Sequence, residues 1–209
     1  MRCLSLGTLF AVLLSAQPAP DASAILKGVE QRYNSTNTLQ AKFTQTLKDR
    51  GRNRSPESGT VYINKSSHRT RWDYSVPAGD FFLSDGKYTY QYDKDKNTVE
   101  RELFKETEDT RIPLSFLLGQ LDFKKDFERY NATIEGANTA IALIPRNKKL
   151  AFSEITILVA PDFSIRRVKV TGAGSTMEYA LDGEQRNAKI PDSTFKFTAP
   201  PGAKIIENN

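Results

Sequence analysis

The sequence predicts an α+β fold with a single antiparallel sheet of about eleven strands, curled into an incomplete β-barrel whose concave apolar face is covered or plugged by helices. Three observations predict it. Short segments of alternating apolar and polar residues recur along the chain, with turn residues between them. Two short segments, around residues 30 and 116, are instead typical of helices. A sheet of this size curls or closes on itself.

The first twenty residues are typical of a secretory signal peptide. Arg2 precedes a short apolar run from Leu4 to Leu14, and small residues follow, with cleavage expected between residues 16 and 24. Residues 21–209 are predicted to form a single domain. Because Cys3 is the only cysteine, the mature chain is expected to carry no thiol, which suits a bacterial periplasm.

The first half of the mature chain combines one helix with a meander of strands. An apolar stripe predicts a helix from Ala24 to Tyr33, with Asp21 or Ser23 as its cap. A strand follows over 38–48. Further strands are predicted over 60–63, 69–74, 81–83, 88–92 and 98–104, and an Asp-Gly turn precedes the fifth of these six strands.

The second half begins with a short helix over Pro113–Gly119, which is apolar nearly all round and should lie against the concave side of the sheet. Strands are then predicted over 130–135, 139–145, 153–160, 165–171 and 176–181. Phe195 and Phe197 are expected to make a last short strand.

Apolar residues at inward positions offer two interpretations. A filled core is the simpler one, and a partly filled core that leaves an apolar cavity is the alternative. The residues predicted to line such a cavity are Phe43, Trp72, Tyr74, Leu83, Tyr90, Phe116, Leu117, Leu143, Ile157, Val168, Met177 and Tyr179.

Composition excludes several other functions. The net charge is +5, but the basic residues are scattered among 25 acidic ones, so no nucleic acid is expected as a partner. The densest basic run, Lys48–Arg54, is predicted to be a solvated hairpin tip. His68 is the only histidine, which argues against a serine triad and a zinc site, and neither a metal nor a cofactor is expected. The chain is therefore interpreted as a binding module.

Several motifs occur together in one order. They are Leu39–Gln45, Gly59–Ile63, Arg71–Tyr74 with Pro77, Leu83–Lys87, Tyr90–Asp93, Pro113–Gly119 and Phe195–Gly202. With the signal peptide before them, they make the whole mature chain similar to the LolA family of periplasmic outer-membrane lipoprotein carriers.

The resemblance implies a half-open β-barrel, closed by helices around a hydrophobic cavity that holds acyl chains. It further implies a monomer in the periplasm of a Gram-negative bacterium, with no cofactor and no enzymatic activity. Acylated lipoproteins would be the cargo. They would come from an inner-membrane ABC transporter of the LolCDE type and pass to an outer-membrane acceptor such as LolB.

The chain departs from the family pattern after Ile63, where family members usually carry a basic pair followed by proline. Here the stretch runs Ile63-Asn-Lys-Ser-Ser-His-Arg69, without the proline. Lys65, Arg69 and Arg71 are the candidates for the family's basic lid residue. One of them is expected to contact a helix or loop carbonyl at the mouth of the cavity.

Two other functions remain open. The first is a periplasmic carrier of a different amphiphile, such as a glycolipid, on the same scaffold. The second is a hydrolase, for which Glu154, Glu178 and Arg166 are the available polar groups. An acceptor of the LolB type is disfavoured because no cysteine follows the apolar run of the signal peptide.

Overall fold

The computed structural model describes residues 20–104, 120–150 and 152–208. Most of the predicted signal peptide and the predicted helix Pro113–Gly119, with Phe116 and Leu117, lie outside these ranges. The elements in chain order are α1 Ala22–Asn34, β1 Thr38–Asp49, β2 Arg52–Asn53, β3 Glu57–Asn64, β4 Arg69–Val76, β5 Ala78–Ser84, β6 Tyr88–Asp93, β7 Thr98–Leu103, α2 Phe123–Asp126, β8 Phe127–Glu135, β9 Asn138–Pro145, β10 Glu154–Val159, β11 Ile165–Gly172, β12 Ser175–Arg186 and β13 Lys204–Asn208.

All thirteen strands belong to one sheet. Their order is β13-β7-β6-β5-β4-β3-β1-β12-β11-β10-β9-β8, and β2 pairs with β1 beside this path. Within the described ranges the sheet is open, since β8 and β13 stand at opposite ends of the order. The predicted fold class is confirmed, with thirteen strands in place of about eleven.

The C-terminal region differs from the prediction. The expected strand at Phe195 and Phe197 is wrong, because Asp192–Phe195 forms a short 3-10 helix instead. The Phe195 ring is 1% exposed, so its apolar character reflects burial against the sheet rather than strand pairing. The last strand is β13, which pairs with β7 in parallel. This is the one parallel pairing in the described sheet.

Curvature of the sheet is visible in a contact across it. Trp72 on β4 and Tyr179 on β12 are separated by β3 and β1, a distance of about 14 Å in a flat sheet. Their ring centroids are nevertheless 5.6 Å apart. The face that carries both rings is therefore concave, and α1 covers it through Leu26, Val29 and Tyr33, which are all buried.

The sequence of α1 explains its position. The Asp21 side chain accepts hydrogen bonds from the backbone N–H groups of Ser23 and Ala24, which caps the helix as expected. Gly28 is buried, and a Cβ there would lie 2.4 Å from the Phe163 ring. The absence of a side chain at this position therefore lets the turn before β11 pack directly on the helix.

A second core lies on the outer, convex face of the sheet. Its buried residues are Phe81, Leu83, Tyr90, Val99 and Phe195. The segment between β12 and β13 covers them, and the Phe197 ring stacks on that of Tyr90 with centroids 4.1 Å apart. Each face of the β4–β7 region thus contacts its own set of apolar side chains.

Polar contacts hold the C-terminal end of α1 to β12. The Glu184 carboxylate accepts hydrogen bonds from Arg32 Nη2 at 2.6 Å and from the Tyr33 hydroxyl at 2.5 Å. The same hydroxyl accepts a hydrogen bond from the Ile165 N–H at 2.8 Å. The side chains of Arg32 and Glu184 are only 18% and 10% exposed, so solvent screens this cluster weakly.

Replacing Glu184 by alanine should lower the free energy of unfolding by about 3 kcal/mol, because Arg32 and the Tyr33 hydroxyl then lose a buried partner. Urea denaturation of the variant measures this loss. Glu128→Ala is the matched control. It removes the carboxylate that pairs with Lys148, a lysine 64% exposed, and should cost less than about 1 kcal/mol. Equal losses in the two variants would contradict the anchoring role of Glu184.

Candidate functional site

A cavity of about 310 Å³ lies on the concave face, between the meander and β12. Its volume falls at the small end of the range for ligand pockets. The lining residues are Gln45, Glu57, Trp72, Tyr74, Pro77, Asp80, Phe81, Phe82, Gln91, Tyr92, Met177 and Tyr179. Phe81 and Tyr92 also belong to the outer core, so the cavity reaches the sheet where the two cores adjoin.

Aromatic rings form the deepest wall of the cavity. Phe43 packs against Trp72 at 4.7 Å and against Tyr74 at 5.2 Å, both edge to face. The Tyr179 hydroxyl donates a hydrogen bond to Met177 Sδ. Gly59 permits the close approach of β3 to β4, because a Cβ there would lie 2.0 Å from the backbone oxygen of Asp73. The deep wall is therefore mainly aromatic, and Gln45, Glu57, Asp80 and Gln91 add polar side chains to the lining.

Two polar atoms of this wall are buried and have no hydrogen-bond partner among residues 20–104, 120–150 and 152–208. They are Trp72 Nε1, a donor, and Gln45 Oε1, an acceptor. A buried polar atom without a partner costs about 1–3 kcal/mol. Gln45 and Trp72 both border the cavity, so this cost is borne by its wall.

Two carboxylates border the cavity at its outer rim. Glu57 begins β3 and Asp80 lies on β5, where Asp80 Oδ1 accepts a hydrogen bond from the Lys94 N–H at 3.0 Å. Burial raises the pKa of Glu57, and the negative charge of Asp80 raises it further. Burial also raises the pKa of Tyr74, with smaller contributions from Glu57 and Asp80. Tyr74 is therefore a neutral phenol at neutral pH.

Ten of the twelve residues predicted to line a cavity lie in the described ranges, and they fall into three groups. Trp72, Tyr74, Met177 and Tyr179 border the cavity, and Phe43 packs directly behind them. Others lie in the same core away from the cavity, fully buried by packing, and are Leu143, Ile157 and Val168. For that group, the simpler interpretation of a filled core fits the structure.

Leu83 and Tyr90 form the third group, and their predicted place on the concave wall is wrong. Trp72 pairs with Phe82, whereas Leu83 pairs with Arg71 and with Tyr90. Because side chains alternate between faces, Leu83 and Tyr90 point to the outer core. A register shift between β4 and β5, after Asp73, sets this alternation, and the amino-acid pattern does not reveal it.

The residues that border the cavity without having been predicted include Gln45, Glu57, Asp80 and Phe82. Two of them had a signal in the sequence. Gln45 shares the apolar face of β1 with Phe43, and Phe82 pairs with Trp72 once the register is known. Glu57 and Asp80 carried no signal, because acidic residues next to turns are common on any protein surface.

The three basic candidates for a lid contact lie in different places. Lys65 Nζ donates a hydrogen bond to the Tyr33 carbonyl, at the C-terminal end of α1, at 2.8 Å. Burial lowers the pKa of this lysine. Arg69 contacts Asp192 at 3.0 Å, and Arg71 contacts Asp73 at 2.7 Å and the Thr194 carbonyl at 3.4 Å. Both arginines therefore face the segment that covers the outer core.

The expected mouth of the cavity needs a correction. The cavity borders the first half of β3 and the second half of β4, whereas Lys65 lies at the other end of both strands. The turn that contains Lys65 contacts α1 and not the cavity. Glu57 and Pro77, at the end of β3 and β4 opposite Lys65, border the cavity instead.

The three polar groups considered for a hydrolase do not border the cavity. Glu154 accepts a hydrogen bond from Thr156, and Glu178 lies 3.7 Å from Arg167. Arg166 is exposed. Residues 20–104, 120–150 and 152–208 contain no cluster of three or more side chains suited to a metal ion. In the same ranges no helix has the length and apolar character to cross a membrane.

Replacing Glu57 by glutamine should stabilise the protein at neutral pH, because the ionised carboxylate is disfavoured in the folded state. The raised pKa means that the folded protein binds a proton more readily than the unfolded chain. The gain should therefore shrink as the pH falls towards about 4, where the wild-type carboxyl is itself neutral. Thermal unfolding across this range measures it.

Glu100→Gln, on an exposed position of β7, is the control for Glu57→Gln. It removes the same charge from a position in solvent and should change stability little at any pH. A stability difference for Glu57→Gln that stays constant from pH 4 to pH 8 would contradict the pKa shift at the rim.

The sequence is similar to those of a known protein family and its members. The sequence profile of the family described as outer membrane lipoprotein carrier protein LolA matches residues 34–198. A protein of Bordetella avium named outer-membrane lipoprotein carrier protein is 29% identical over 166 residues, covering 79% of this chain and 78% of its own length. A protein of Nitrosomonas europaea with the same name is 23% identical over 203 residues, covering 96% of this chain and 98% of its own.

A solved structure is also similar in fold. It is an uncharacterized conserved protein from Thermus thermophilus, with a TM-score of 0.55 and 14% identity, and the match covers 90% of this chain and 99% of that one. The family profile spans most of the strands described above, including those that border the cavity. The chain therefore belongs to the LolA family of outer membrane lipoprotein carrier proteins.

Proposed function

We propose that this protein is a periplasmic carrier that holds the acyl chains of lipoproteins in the concave cavity. The observation that carries the proposal is the aromatic-walled cavity in a sheet of the LolA family. Relatives named outer-membrane lipoprotein carrier proteins support this cargo. The basic and apolar N-terminal segment supports export to the periplasm.

The physical task is to keep acyl chains out of water and to release them again. Each methylene group exposed to water costs about 0.8 kcal/mol, so one acyl chain amounts to roughly 10 kcal/mol. Aromatic rings and Met177 offer an apolar surface whose shape can adapt to a chain.

The route of the cargo follows from the same proposal. An inner-membrane ABC transporter of the LolCDE type would load the carrier, and the outer membrane would receive the cargo, through an acceptor such as LolB where one is present. The carrier itself performs no chemical step. Depletion of the protein should leave lipoproteins in the inner membrane, which fractionation of the two membranes measures.

Met177→Glu should weaken the binding of a fluorescent fatty acid at least tenfold, because it places a carboxylate in the apolar wall. Ala180→Glu is the control, since Ala180 lies on the same strand and is exposed. Ala180→Glu should leave affinity within about twofold. Equal affinity of both variants, with both folded by circular dichroism, would mean that acyl chains bind elsewhere.

Native mass spectrometry identifies the cargo. Protein taken from its own periplasm should carry acylated protein, and a bound glycolipid in its place would favour the carrier of another amphiphile. The cavity volume of about 310 Å³ is compatible with either, since it accommodates part of one chain before any opening.

We further propose that Lys65 is the contact that holds α1 against the sheet while the carrier is closed. Its ammonium donates to the Tyr33 carbonyl near the C-terminal end of α1, which also accepts the Thr36 N–H at 3.1 Å. Because the group is partly buried, the bond is less exposed to competing water than one on the surface.

Lys65→Met should reduce stability by about 1.5 kcal/mol and increase hydrogen exchange in the last turn of α1. It should also release a bound fluorescent fatty acid faster. Lys27→Met, at an exposed position of the same helix, is the control and should change neither quantity. If Lys65→Met lowers stability but leaves the release rate unchanged, the contact is structural only.

A further inference from the structure

The hairpin between β1 and β3 carries a concentration of positive charge. The segment Lys48–Arg54, here called the basic tip, contains Lys48, Arg50, Arg52 and Arg54 and a single acidic residue. All four basic side chains are exposed, and none forms an ion pair within residues 20–104, 120–150 and 152–208. This charge is therefore available to a partner.

The basic tip has a fixed backbone. Strand β2 pairs with the end of β1, with Lys48 opposite Asn53. The Arg54 N–H donates to the Leu47 carbonyl at 2.8 Å, and the Arg50 N–H donates to the Gly174 carbonyl at 3.1 Å. The hairpin is thus held both to itself and to the turn that precedes β12. Its basic side chains therefore project from a fixed end of the sheet.

That place is the rim of the cavity. Gln45 borders the cavity three residues before Lys48, and Glu57 borders it three residues after Arg54. Three residues of strand span about 10 Å, which is close to the distance over which charges act at physiological salt. Val76, 52% exposed at the end of β4, lies at the same end of the sheet and adds an apolar side chain.

We propose that the basic tip docks this end of the protein on an anionic membrane surface and so presents the cavity to the bilayer. The inference rests on the proposed function, because only a carrier of acyl chains needs its cavity near lipid. Acyl chains that pass between the cavity and a bilayer are exposed to water over a shorter path when the rim lies at the headgroups.

A membrane fits the tip better than an acidic protein surface does. The four charges are spread along a projecting hairpin, and an anionic lipid surface offers charge that rearranges beneath them. The exposed Val76 suits the boundary between headgroups and acyl chains. Glu57 and Asp80 lie at the same end and oppose the attraction, but both are partly buried at the cavity, whereas the basic side chains are exposed.

The test compares two triple variants of the full mature protein. One carries Arg50→Ser, Arg52→Ser and Arg54→Ser. The control carries Lys124→Ser, Lys125→Ser and Arg129→Ser, which removes the same charge from exposed positions of α2 and β8. Strand β8, which follows α2 directly, lies five strands from β1 in the sheet order, about 24 Å along the sheet.

Sedimentation with phosphatidylcholine vesicles, with and without phosphatidylglycerol, measures the docking. The wild type should bind the anionic vesicles, and added salt should abolish the binding. Each basic residue near an anionic surface contributes about fivefold, so the tip variant should lose at least tenfold in affinity. The control should lose much less. Transfer of a fluorescent fatty acid to anionic vesicles should slow in the tip variant alone.

Two results would overturn the docking proposal. One is equal vesicle binding by the tip variant and the control. The other is a wild type that ignores anionic vesicles while its tip still governs transfer to an acidic acceptor protein. Binding of the fluorescent fatty acid in solution is measured separately, and its absence in the wild type would overturn the carrier function instead. The tip variant should retain that binding, because none of its three substitutions borders the cavity.

Discussion

Tyr33 connects parts of the chain that are far apart in sequence. Its ring is buried in the concave core, and its hydroxyl bonds both Glu184 on β12 and the Ile165 N–H on β11. Its carbonyl accepts a hydrogen bond from the ammonium of Lys65, which follows β3 on the other side of β1. One residue at the end of α1 therefore joins the strands on both sides of β1. The curvature that brings Trp72 close to Tyr179 is compatible with these contacts of Tyr33, because a helix fixed at one end can cover a curled sheet.

The cavity follows from where α1 is fixed. The helix packs beside α2 and the later strands, where the Glu30 carboxylate accepts the Phe123 N–H and the Asn34 side chain bonds Leu121 through both its oxygen and its nitrogen. In that part of the structure the concave core is closely filled. The first half of β3 and the second half of β4 lie at the opposite end of the sheet from the Lys65 turn. Their apolar wall borders a space instead of a helix in the described structure.

The sequence predicted the positions of helices and strands better than the face of the sheet on which each side chain lies. Apolar periodicity predicted α1 and most strands, because each of those patterns is local. The face of Leu83 and Tyr90 depends on the register shift after Asp73, and the parallel pairing of β13 depends on a contact between distant segments. The predicted mouth of the cavity, at the Lys65 turn, lies at the opposite end of β3 from the cavity. Lys65 contacts α1 at the end of β3 that lies away from Glu57, and a motif near a turn does not reveal which end of a sheet stays uncovered.

The outer core explains how one wing of the sheet can border a space and remain folded. Strands β5 to β7 are packed on their convex side by Phe195 and Phe197, and Arg101 lies 3.8 Å from the centre of the Tyr88 ring. Phe81 and Tyr92 take part in this outer core and also border the cavity, whereas Leu83, Tyr90 and Val99 do not border it. Because local stability is set by local contacts, the wing can lose or gain packing on one face while the other face keeps its strands paired. The strands that border the cavity therefore keep apolar packing on their convex face.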